Sequence, residues 1–116
     1  MPEPEGLFSI EELHELTSLI GADGTREMFE KFFTLADQDA ADAMAAFQAG
    51  DRHGVNQAAH HVAGAALGLS FRRIAVIAQS IERAENVSRK DLGDLSRAIA
   101  ETSEGVEQWF GDQGSA

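Results

Sequence analysis

Cysteine is absent from this 116-residue chain, which excludes disulfides and thiolate chemistry and permits a reducing compartment. No apolar run approaches the roughly 20 residues needed to span a bilayer, so no membrane span is expected. The acidic opening, Met1 to Gly6, also lacks an apolar stretch, which argues against a signal peptide and for a cytoplasmic setting. There is no phosphate-binding loop, no nucleotide motif and no metal-ligand cluster, so neither an ATP site nor a metal is expected. Convincing strands, internal repeats and low-complexity tracts are missing as well. What remains has 43% hydrophobic and 25% charged residues, the balance of an ordinary globular protein, in a length that fits one domain with one core.

Positive charge is scarce, and it is unevenly placed. Residues 1–51 hold twelve acids against Arg26 and Lys31, whereas residues 52–97 hold seven bases against four acids. The overall balance of −11 disfavours nucleic acid as a partner. The basic middle suits an anion there, or a partner with an acidic pocket.

The periodicity is helical throughout. Ser9 with Glu12 forms a capping box that opens a short amphipathic helix through Leu13, Leu16 and Ile20, ending at Gly21. After an Asp23–Gly24 turn, a second helix starts near Thr25 and ends at Gly50, with Met28, Phe29, Phe32, Phe33, Leu35, Ala36, Ala43 and Phe47 as its apolar positions. A third closes at Leu67 and Gly68, with His53 placed in the loop before it. Ser70 caps a fourth, whose inner stripe is Ile74, Ile77, Ala78 and Ile81. Ser88 to Phe110 gives a fifth, interrupted in pattern by Gly105. Short links imply antiparallel neighbours. The expected fold is all-α, an antiparallel up-down four-helix bundle with a short additional N-terminal helix as a lid. Residues 1–8 are expected to be a flexible tail, 9–110 the bundle domain and 111–116 a disordered tail.

Within the third helix, Val55, Ala59, Val62 and Ala66 fall about 200–260° around the axis from His60, on one narrow stripe. That stripe is the core face, so His60 points to solvent. Gly64, one turn on, is its neighbour on the same face. Glycine inside a helix costs about 1 kcal/mol relative to alanine, which suggests that something must approach closely there. An exposed and uncovered imidazole points to a nucleophile rather than a packing residue. His61 lies about 100° round the helix, at the flank, and reads as a bystander. The two histidines make a poor metal site, because adjacent helical residues diverge.

The ordered set His60, Val62, Gly64, Leu67–Gly68 and Ile81–Glu82, preceded by Gly50–Asp51, resembles the histidine-containing phosphotransfer (HPt) domain family over nearly the whole chain. The family pattern has leucine, lysine and glycine at plus two, three and four from its histidine. Here Val62 stands for the leucine and Gly64 for the glycine, but Ala63 replaces the lysine that is thought to help hold the phosphoryl group. Arg72 or Arg73, or else His61, are the candidate replacements, the arginines favoured because guanidinium forks suit phosphate oxygens.

The resemblance implies that His60 accepts a phosphoryl group from a receiver-domain aspartate and passes it to another receiver in a two-component phosphorelay. The implied partners are response-regulator receiver domains, with a hybrid histidine kinase upstream. No intrinsic cofactor is implied, because the receiver brings the Mg2+; this chain alone has no ATP-binding or kinase catalytic domain. Glu82 stands where the family often places a polar group near the ring; it either fixes the tautomer or is an exposed helix-end charge. Docking is expected around His60 through Asn56, Gln57, Ala63, Gly64 and Leu67, with the arginines at the rim and a modest, transient interface. A freestanding monomeric carrier is expected, with no membrane or nucleic-acid partner. Two alternatives stay open: an HPt-like module that docks receivers without efficient transfer because of Ala63, and an unrelated helical interaction bundle.

Overall fold

Ser9 begins the first helix as the capping pattern requires. Its backbone is extended and its Oγ accepts from the Glu12 amide at 3.3 Å. A computed structural model describes residues 7–115, so most of the expected N-terminal tail lies outside the described residues. Helix α1 spans Ile10–Gln48 and is broken at one place, Gly21, whose φ of 84° and ψ of 161° are open to glycine. The Thr25 hydroxyl donates to the Gly21 carbonyl at 2.8 Å, giving an acceptor at the break its partner. The short first helix therefore loses its helical geometry at Gly21, as its pattern predicts, but the next begins directly after it: residues 22–24 are already helical in place of the expected Asp23–Gly24 turn, and the two run on across the kink.

Both links flanking the next helix are Schellman closures. At the end of α1, Gly50 takes φ 73° while the Asp51 amide reaches the Ala46 carbonyl at 2.8 Å. Helix α2, Arg52–Gly68, follows at once with Asp51 capping the Gly54 amide. His53 thus sits in a helical turn and not in a loop. At the other end of α2, the Ser70 amide bonds Leu67 and the Phe71 amide bonds Ala66, with Ser70 itself at φ 62°. Ser70 is therefore the left-handed residue closing α2, not a side-chain cap of helix α3 (Arg72–Arg83), which has no such cap. Since this position favours glycine, Ser70→Gly should raise stability by about 0.5–1 kcal/mol in denaturant unfolding.

Phe71 fixes this link. It is fully buried, with Phe29, Phe32 and Phe33 ring centroids 5.0–5.3 Å away, and so pins the start of α3 to α1. Helix α4 spans Arg89–Ser115 and opens on a reciprocal pair, Ser88 Oγ accepting from the Asp91 amide and Asp91 from the Ser88 amide.

Two expectations about the ends need correction. Helix α4 passes unbroken through Gly105, and the missing Cβ makes room for Phe8: a methyl there would lie 2.9 Å from the Phe8 ring. Leu7 and Phe8 thus pack on the core and are not free tail. Beyond Phe110, helical hydrogen bonding continues to Ser115 where a disordered tail was expected from Gly111.

The four helices close a ring of contacts, α1 on α2, α2 on α3, α3 on α4 and α4 on α1, around a core centred on Phe29, Val62, Ile74, Ile81, Leu95 and Ile99. Among the described residues there is no strand, and no helix is long and apolar enough to cross a membrane.

Candidate functional site

On α2 the small side chains face inward. Val55, Ala59, Val62 and Ala66 are all buried, together with Ala58 and Ala63. The opposite face carries His60, whose side chain is 79% exposed. Its Nδ1 lies 3.0 Å from Glu82 Oε2 on the last turn of α3, and the Glu82 side chain is itself only 28% exposed. A carboxylate can only accept, so the proton of a neutral ring sits on Nδ1. That leaves the Nε2 lone pair free. The pair joins a nucleophilic nitrogen to an adjacent carboxylate that orients the ring.

Gly64, one turn beyond His60, is exposed, and a Cβ there would meet nothing within 4 Å. Internal packing therefore does not require this glycine. Gly64→Ala should stabilise the fold by about 0.5–1 kcal/mol and yet slow chemistry at His60, by standing where an approaching partner must come. Thermal unfolding and a transfer rate measured on the same sample check both signs; unchanged transfer removes the role in approach.

His61 turns the other way. Its Nδ1 is 2.6 Å from Asp39 Oδ2 on α1, so the two adjacent imidazoles bridge α2 to different neighbours. On one side of the His61–Asp39 bridge is an apolar groove of about 200 Å³ lined by Met28, Phe32, Leu35, Ala65 and Leu69. On the other is a polar hollow with Asp42, Gly54 and Gln57. Met28 and Leu35, two of the apolar positions on this helix, are exposed.

Several expected neighbours of His60 are elsewhere. Arg72 begins α3 ten residues before Glu82, about 15 Å along the axis at 1.5 Å per residue. It lines a hollow with Phe8, Ser9 and Ser70. Arg73 reaches α4, its Nη1 lying 3.5 Å from Glu101 Oε2. Both arginines stand at the start of α3, the end remote from Glu82. Ala63, expected on the docking face, is only 3% exposed. It lies 300° around from His60, on the side away from His61 and so towards α3, where the helix seam covers it. Of the remaining docking candidates, Gln57 and Leu67 are exposed, while Asn56 is half-buried with its Oδ1 buried and unpartnered.

Sequence reasoning missed two residues. Asp39 is one of many acids on α1, and only tertiary packing singles it out. Arg52 donates through Nη2 to the carbonyls of Ile81, at 3.1 Å, and Ala84, across about thirty positions, a pairing with no local signal. Among the described residues, no three metal-ligating side chains converge.

The chain matches the family model of the Hpt domain over residues 27–111, which include α2, α3 and most of α1 and α4. No curated protein and no solved structure matched the chain.

Proposed function

Because the chain belongs to the Hpt domain family, a phosphotransfer-related module of two-component systems, we propose that it carries phosphoryl groups between receiver domains on His60. The observation that carries this reading is the exposed His60 ring held by Glu82 through Nδ1. In the forward step Nε2 attacks the phosphorus of a receiver's aspartyl phosphate. A P–N bond forms, the P–O bond to the aspartate breaks, and a free carboxylate leaves. No proton need move, because Nδ1 keeps its hydrogen while the ring becomes cationic, and Glu82 faces that new charge. Delivery to a second receiver reverses the sequence. Catalysis on this side consists of positioning and charge compensation, with Mg2+ belonging to the receiver.

The same reading takes the four helices as an antiparallel up-down bundle, supported by the short links at 49–51 and 69–71 and by the bridges from His60 and His61 to opposite neighbours. It also takes Leu67 and Gly64 as part of the receiver contact.

A second reading is favoured by Ala63. With no cation at that position, the domain docks receivers but transfers poorly. One experiment separates the two: add a labelled phospho-receiver, and follow label on this chain and binding in parallel. Acid-labile label supports the carrier; binding without label supports the docking module.

A further inference from the structure

Glu82 is only as well placed as the last turn of α3, and that turn is held from outside. Helix α3 ends at Arg83, and Ala84 turns the chain into extended backbone at φ −68° and ψ 138°. The final carbonyls of a helix have no partner within it. Here Arg52 supplies one: a single guanidinium nitrogen, Nη2, donates to the carbonyls of both Ile81 and Ala84, the positions that bracket Glu82. Its charge also sits at the negative end of the helix dipole. Because Arg52 is the first residue of α2, the helix that carries His60 also anchors the turn that carries the partner of His60.

We propose that Arg52 is a positioning residue for transfer at His60, acting through Glu82. This rests on the carrier reading above. The clamp fixes Glu82 Oε2 against Nδ1 and so keeps the proton there and Nε2 free. Without it, the last turn of α3 frays, the carboxylate wanders, and the ring samples the tautomer with the proton on the attacking nitrogen.

The test compares the full chain with Arg52→Met, Glu82→Ala and the double variant. Nitrogen-15 spectra of the imidazoles, recorded without any receiver, report the tautomer of His60. Transfer from a phospho-receiver is measured separately. Arg52→Met should shift the tautomer balance in the same direction as Glu82→Ala. It should slow transfer roughly ten-fold, within the range that a misplacement far from the chemistry produces, and add nothing in the Glu82→Ala background. An unchanged tautomer, or equal slowing in both backgrounds, makes Arg52 a helix cap only and overturns the proposal. If Arg52→Met does not fold, Arg52→Lys is read in the same way, with a smaller shift expected because a shorter ammonium reaches fewer carbonyls. Absence of transfer to the wild type would defeat the carrier reading itself, an outcome distinct from the tautomer result.

Discussion

His60→Gln should take up no phosphoryl label from a phospho-receiver that labels the wild type, while keeping its fold and its binding. Glutamine preserves a polar side chain on an exposed helical face, so the bundle loses nothing but the contact to Glu82. What disappears is the nucleophile: an amide has no nitrogen lone pair able to attack phosphorus. His61 does not take over. Its ring lies at the flank, drawn to α1 by Asp39, whereas the His60 ring is held from α3. The matched control, His61→Gln, should keep transfer. Acid-labile label on each variant is the measurement. Label surviving on His60→Gln would mean that the acceptor had been misassigned.

Glu82→Ala should slow transfer by about 100-fold, the scale on which a fixed electrostatic partner in a reacting site acts. Two effects combine. The carboxylate holds the proton on Nδ1, and it also compensates the positive charge that the ring acquires as the P–N bond forms. Glu82→Gln separates them, since the amide oxygen still accepts from Nδ1–H but carries no charge. That variant should fall between wild type and alanine. A single-turnover rate at saturating receiver isolates the chemical step from docking. If all three proteins transfer equally fast, Glu82 is a helix-end charge and nothing more.

The features legible in sequence were those set by local periodicity. The stripe of Val55, Ala59, Val62 and Ala66 is enough to turn His60 outward, and the structure buries all four. Gly50 signals the end of α1 because left-handed backbone favours glycine. Serine at the equivalent position after α2 hides the same turn, because Ser70 before an apolar helical stripe has the look of a cap. Position along a helix was harder than position around it. Arg72 and Arg73 are near Gly68 in sequence, but Glu82 lies at the other end of α3, and the bridge to His60 forms there. Long-range partners carried no signal at all: Asp39 beneath His61, Arg52 under the end of α3, and Phe8 in the notch of Gly105 each depend on how helices meet. Ala63 marks the limit of face-by-face reading: it and Gln57 both lie 60° from His60, on opposite sides, yet Ala63 is buried and Gln57 exposed, so the packed neighbour decides and not the angle.

The position of the phosphorus decides whether His60 is the carrier. The wild-type chain, labelled with nitrogen-15 in its histidines and phosphorylated by a phospho-receiver, would be analysed by phosphorus–nitrogen correlation spectroscopy together with fragment mass analysis. One phosphorylated residue is expected, His60, with phosphorus bonded to Nε2 and hydrogen retained on Nδ1. Phosphorus on Nδ1, on His61, or on no residue of a chain that still binds the receiver would contradict that assignment.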